Sequence, residues 1–213
     1  YGRALDLAPQ HAGALNNLSN LLRETGAYDE AIALARRAVA AQGDLPQAHN
    51  NLAAALRAAG RTDEAIEHYQ RALRLSPGDA QVLNNLGNAM QDRNEFAEAE
   101  RLHRLAIDAD SGFAGAWFSL AGALAKQRRT DEAIAAYERA AALDGDDLDA
   151  RHNLANLLRD LGEVEQAVAL LRAVLETDAS RVDTLRDLAV ALNYQPDVAP
   201  ATVHAAHRAW AEA

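Results

Sequence analysis

The sequence has no cysteine and a single lysine, Lys126, and each scarcity closes off a class of function. Without thiols there is no disulfide, no thiolate metal site and no cysteine nucleophile. All other cations are arginine, and 31 acidic side chains outweigh 21 basic ones for a formal charge of −10. A phosphate backbone needs clustered cations, so nucleic acid is not an expected partner. No signal-peptide pattern and no bilayer-length apolar run are read, so no membrane partner is expected and location defaults to the cytoplasm. Gly-rich phosphate loops, His-Glu-x-x-His and nucleophile elbows are missing too, which leaves no expected cofactor, metal or catalytic residue in this chain. The acidic stretch from Asp144 to Asp149 lacks the glycine and closing Glu of a calcium loop and reads as a solvated turn.

What the chain does have is alanine, arginine and a period. The alanine suits closely packed helices, and the Ala/Arg bias suggests a bacterium with GC-rich DNA. Alanine recurs at Ala31, Ala65, Ala99, Ala133, Ala167 and Ala201, a step of 34 residues. Leu18, Leu52, Leu86, Leu120, Leu154 and Leu188 keep the same step, as do Leu22, Leu56, Met90, Leu124, Leu158 and Leu192. A fourth series is small: Ser19, Ala53, Gly87, Ala121, Ala155 and Ala189. Repeats at this period signify stacked supersecondary units.

Each unit reads as two helices. Leu52 and Leu56, four apart, share one face of a first helix. Gly60 stops that helix, and Asp63 and Glu64 open the second, where carboxylates meet the positive end of the macrodipole. Ala65, Tyr69, Ala72, Leu73 and Leu75 follow before Pro77 and Gly78 end it. Small residues at Ala53, Ala65 and Ala72 mark the closest approach within the hairpin.

The order of large residue, Leu-small, Gly, Ala, Tyr, Ala and Pro resembles the tetratricopeptide repeat. The resemblance implies an all-α fold, an α-solenoid of antiparallel helix pairs. Five complete units fit, at residues 12–45, 46–79, 80–113, 114–147 and 148–181. Residues 1–11 fit the second helix of a truncated earlier unit. Residues 182–213 begin a sixth unit that degenerates into a capping or junction helix. Starting inside a hairpin implies a fragment of a longer protein, with self-association through the open N-terminal end as a consequence.

In this family the first helices line a concave groove, so the resemblance implies a polypeptide partner there. Asparagine recurs on those helices although it is a poor helix former. Asn16, Asn50 and Asn84 hold one register, with Phe118, His152 and Arg186 at its later positions. Asn17, Asn51, Asn85 and Asn153 hold the next, with Ser119 and Asp187, and Asn20, Asn88 and Asn156 a third. A carboxamide both donates and accepts. Such a ladder can hold a peptide backbone whatever its side chains, or it can tie hairpins together. The segments Asn84-Asn85-Leu86-Gly87-Asn88 and His152-Asn153-Leu154-Ala155-Asn156 are similar to the repeats of O-GlcNAc-transferase-like glycosyltransferases. Acidic residues four positions before the ladder, a further trait of that group, occur here only at Asp149 and Asp183. Phe118 breaks the ladder as either an aromatic anchor or a packing residue.

The segment Asn193-Tyr194-Gln195-Pro196-Asp197, with His204, His207, Arg208 and Trp210, resembles the junction before a glycosyltransferase domain, or else a plain capping helix. His204 and His207 lack a third metal ligand. The familiar carboxylate clamp of chaperone-binding repeats needs paired Lys and Arg in the groove and is disfavoured by the lone Lys126. Three functions follow: the substrate-recruiting region of an O-GlcNAc-transferase-like enzyme, a stand-alone adaptor, or a self-associating structural solenoid.

Overall fold

The computed structural model describes residue 8, residues 10–145 and residues 148–213. The expected helix of a truncated repeat at residues 1–11 therefore lies almost wholly outside the described residues, as does the middle of the acidic turn. The chain divides into two compact units, residues 1–123 and 124–213.

The N-terminal unit contains α1 (Ala12–Glu24), α2 (Tyr28–Ala41), α3 (Pro46–Ala58), α4 (Thr62–Leu75), α5 (Ala80–Asp92), α6 (Phe96–Ala109) and most of α7 (Ala114–Lys126). The C-terminal unit continues with α8 (Thr130–Leu143), α9 (Leu148–Asp160), α10 (Val164–Thr177), α11 (Val182–Leu192) and α12 (Pro200–Glu212). No strand occurs among the described residues. Successive helices pack as hairpins, α1 on α2, α3 on α4 and α5 on α6, and α9 on α10 in the other unit. Neighbouring first helices also touch, α1 with α3, α3 with α5 and α9 with α11, which gives each unit a face made of first helices.

The helices start where the period puts them, and a repeated turn explains how. Glycine at position 26, 60 or 162 takes a positive φ of 82°, 76° or 89° just past a first helix. This left-handed residue reverses the chain so that the next amide reaches back five residues. Ala27, Arg61 and Glu163 thereby donate to the carbonyls of Leu22, Leu56 and Leu158 at 2.8–2.9 Å. Asn94 and Arg128 hold the same position at φ 61°, with Glu95 donating to Met90 and Arg129 to Leu124. Leu56, Met90, Leu124 and Leu158 of the third series are therefore doubly constrained, their side chains in the core and their carbonyls in the turn.

The sixth copy departs because of Pro196. Proline cannot adopt positive φ, and the left-handed residue is Asp197 instead, at φ 59°. A step of 34 from Val164 would start α12 at residue 198; it starts at Pro200. None of its residues is buried, and Trp210 remains partly exposed.

The alanine series is where helices meet. Ala31, Ala65, Ala99, Ala133 and Ala167 have no exposed surface, and neither do Ala53, Ala72, Ala121, Ala155 and Ala189. Ser19 in that small series donates to the Ala31 carbonyl at 2.8 Å and ties α1 to α2 directly. Gly87 gives way to a larger neighbour: a Cβ there would stand 2.5 Å from Cε1 of His103. His103 occupies the place that Tyr69 takes one copy earlier, turned into the hairpin and fully buried.

Candidate functional site

The asparagine registers separate by a single helical step of about 100°. Asn16, Asn50 and Asn84 are only 7, 8 and 6% exposed, and the side chains of Asn50 and Asn84 bond to neighbouring helices. Asn50 Oδ1 accepts from Asn85 Nδ2 of the next copy at 3.0 Å. Asn84 Oδ1 accepts from His103 Nδ1 at 2.8 Å. Gln91 Nε2 completes that network, donating to His103 Nε2 at 2.9 Å and to the Ser119 carbonyl at 3.2 Å. Both histidine nitrogens are satisfied by a neutral ring, and burial pushes its pKa down to about 4.

The outer register is more open. Asn17 is exposed, and Asn20, Asn51, Asn85 and Asn88 are half-buried. Two pockets adjoin on this face of the N-terminal unit. One, of about 460 Å³, is lined by Asn20, Arg23, Asn51, Arg57, Tyr69 and Asn85, among others. The second, of about 430 Å³, includes Asn16, Asn17, Gln47 and Leu45, and shares Asn20, Asn50, Asn51 and Gln81 with the first. Neither reaches Asn88, nor Phe118, which stands half-buried on α7.

Two arginines in this face are features the sequence left undistinguished. Arg57 makes a two-pronged pair with Asp92, through Nε at 2.6 Å and a terminal nitrogen at 3.2 Å. Arg23 stands 34 residues earlier and reaches only its neighbour Glu24, at 3.5 Å. Its Nε is buried with no hydrogen-bond partner among the described residues. Tyr69 lies against the same pocket, and burial raises its hydroxyl to about 12.

Buried His49 and half-buried His68 form a second pair, stacked with centroids 5.3 Å apart. The Gly43 carbonyl can only accept, so His49 Nε2, 3.2 Å away, carries the proton. His49 Nδ1 then accepts from His68 Nδ1 at 3.0 Å. Burial leads in lowering both pKa values.

The C-terminal unit wires the same registers with charge. His152 is buried, and its Nε2 lies 3.0 Å from Asp187 Oδ2, which only accepts. Its Nδ1 is left to accept from the buried Thr184 hydroxyl at 2.8 Å. Asn156 Nδ2 donates to the same Asp187 oxygen at 2.9 Å, and Arg186 Nε to the other at 3.0 Å. Arg159 donates to Asn156 Oδ1 at 3.0 Å. Burial alone would raise the Asp187 carboxyl, but the bonds from Arg186 and Asn156 outweigh it and hold it below the ordinary range. Thr184, His152 and Asp187 share the bonding order of a hydrolytic triad, yet Thr184 has no exposed surface for a substrate to reach. Asn153 is half-buried. Asp149 and Asp183 both face Arg181: Asp149 forms a close ion pair with it, and Asp183 lies 3.6 Å away. The two carboxylates expected to meet a ligand therefore already share an internal cation.

Among the described residues, no group of three or more His, Cys, Asp or Glu could hold a metal. His207 instead sits 3.3 Å from Asn193 Nδ2 and tilts against Trp210. No described helix is long and apolar enough to cross a membrane.

Comparisons with known proteins agree with the hairpin geometry. Among solved structures, PilF of Pseudomonas aeruginosa is 19% identical, with a TM-score of 0.77 over 94% of this chain and 87% of that one. TTC0263, a thermophilic tetratricopeptide protein of Thermus thermophilus, is 22% identical at a TM-score of 0.74, covering 85% and 98%. YrrB is 18% identical at 0.61, covering 87% and 96%. At these identities the likeness is one of fold. No curated protein matches the sequence. Four tetratricopeptide-repeat family models match residues 11–42, 44–111, 84–147 and 124–192, leaving only residue 43 unmatched between 11 and 192. The chain belongs to the tetratricopeptide-repeat family.

Proposed function

We propose that the chain is a polypeptide-binding scaffold whose N-terminal unit holds an extended segment by its backbone. One observation carries this reading. The inner asparagines are buried, and two of them are committed to neighbouring helices, whereas Asn17, Asn20 and Asn51 line two adjoining pockets without a side-chain hydrogen bond to any described residue. A free carboxamide presents a donor and an acceptor side by side, the complement of a peptide unit. YrrB is described as a repeat protein with an unusual peptide-binding site, and peptide binding is carried over from it as part of this proposal.

The likeness of the Asn-Leu segments to O-GlcNAc-transferase-type repeats supports a narrower version, in which the held polypeptide is the substrate of a glycosyltransferase. PilF and TTC0263, covered over 87% and 98% of their solved chains, favour the broader version, an adaptor with no enzyme attached. Gene sequence encoding a glycosyltransferase domain beyond Ala213 separates the two.

The binding test uses captured partners and the variants Asn17→Ala and Asn51→Ala. Each lost amide bond is worth about 0.5–1.5 kcal/mol, a several-fold weakening with unchanged melting temperature. Partners that bind both variants like the wild type would refute the reading.

A further inference from the structure

We infer that the pocket at Arg23 reads an internal acidic side chain, Asp or Glu, of the polypeptide held by the amides, an inference that rests on the reading above. The argument comes from comparing two copies of one site inside the same unit. Arg57 and Asp92 form a rung between consecutive copies, with Asp92 the last residue of α5. One repeat earlier, Arg23 stands in for Arg57, and the last residue of α3 is Ala58 in place of Asp92. The copy thus keeps the cation and lacks the carboxylate.

The surroundings of Arg23 fit that vacant role. Ala58 and Arg23 line the same pocket, so the space over Ala58 is open to a ligand. Arg23 Nε is buried and unpartnered, which costs free energy until an acceptor arrives. Tyr69 is 1% exposed, lines this pocket and makes no side-chain hydrogen bond to any described residue. Its hydroxyl stays protonated and is a second donor for the same carboxylate. Guanidinium matches a carboxylate in two-pronged geometry, as Arg57 does with Asp92.

A side chain, not a chain end, is the source. The Arg23 pocket runs into the amide-lined pocket through Asn20, Asn50, Asn51 and Gln81. Its other wall is Asp92, whose charge is already met by Arg57. A chain laid along the amides passes Arg23 and offers it a side chain.

The test measures binding of short acetylated and amidated Gly/Ser/Ala peptides carrying one Asp or Glu, each paired with its Asn or Gln version and with a free-acid form. Fluorescence polarisation against the full chain should give the acidic member an advantage of about tenfold or more, shrinking with added salt. Arg23→Gln should erase that advantage. Ala58→Asp should erase it as well, by supplying from α3 the carboxylate that Asp92 supplies from α5, whereas Ala58→Asn should keep it. Position 58 is exposed, so this second variant tests the idea even where Arg23→Gln disturbs folding. Equal binding of acid and amide peptides, a retained advantage in Ala58→Asp, or an advantage confined to the free-acid forms would each overturn the inference while leaving amide binding intact. Neutral peptides indifferent to Asn51→Ala, or no peptide bound at all, would remove the groove reading and this one with it.

Discussion

The two units share a backbone grammar and differ in how they satisfy polar groups on it. In the N-terminal unit, amides and neutral histidines meet one another: Asn50 with Asn85, and Asn84 and Gln91 with His103. In the C-terminal unit the same registers hold His152, Asp187, Asn156 and Arg186, a cluster built on charge. The 34-residue step fixes where a side chain emerges and leaves its chemistry open. Both solutions pair most buried polar atoms, with Arg23 Nε an exception in the first unit, but they respond differently to acid and leave different groups for a ligand.

Acid should separate the units most strongly. His103 is buried and neutral with its pKa lowered to about 4, while in the unfolded chain it titrates near 6.5. Because the unfolded state binds the extra proton, stability is complete above pH 6.5 and falls as pH drops towards 4, by on the order of 3 kcal/mol. His49 and His68 shift in the same direction and add to the loss. Asp187 is held below its ordinary 3.8, so its contribution is present above that value and is lost only in stronger acid. Each unit carries one of the two tryptophans, Trp117 and Trp210. Urea titrations of Trp210→Phe should therefore weaken between pH 6.5 and 4, and those of Trp117→Phe mainly below pH 4. Coincident midpoints at every pH would erase the contrast.

Three substitutions sharpen it further. Gly87→Ala drives a methyl into a ring held on both nitrogens, and should destabilise the N-terminal unit by about 1–3 kcal/mol despite alanine's better helix propensity. A rise in the Trp117-reported midpoint would contradict the packing. Asp187→Asn keeps the shape and removes the charge facing His152 and Arg186. A cost of about 1–2 kcal/mol is expected, confined to the Trp210 signal. Arg128→Gly acts in the opposite direction. Arginine at φ 61° carries steric strain that glycine relieves, so the variant should gain about 1 kcal/mol. A loss of stability would mean that the Arg128 side chain contributes more than its backbone costs.

Much of the fold was legible because the repeat repeats backbone roles. Ala65 and Ala133 could be placed at hairpin contacts and Gly60 at a turn from spacing alone, and the structure puts them there. The roles of the amides were less legible. Asn16 and Asn17 are adjacent letters, but one helical step sends the first inward and the second outward. That His103 would claim Asn84, and that Arg181 would claim Asp149, depends on partners 19 and 32 residues away, which no local pattern reveals. Arg23 and Arg57 were hidden among many arginines. The signal that could have found them was the same 34-residue step, applied to Asp92 and Ala58 as well as to the leucines.

The pairing of Gly87 with His103 also bears on how such a chain can change over time. The equivalent position holds serine once and alanine in the other four copies. With alanine present, a histidine at position 103 would meet its methyl at 2.5 Å while bound to Asn84 and Gln91. With glycine in place first, the histidine enters without a clash. The third copy thus couples two positions: the ring fits only beside a glycine, so a change at either one is felt at the other.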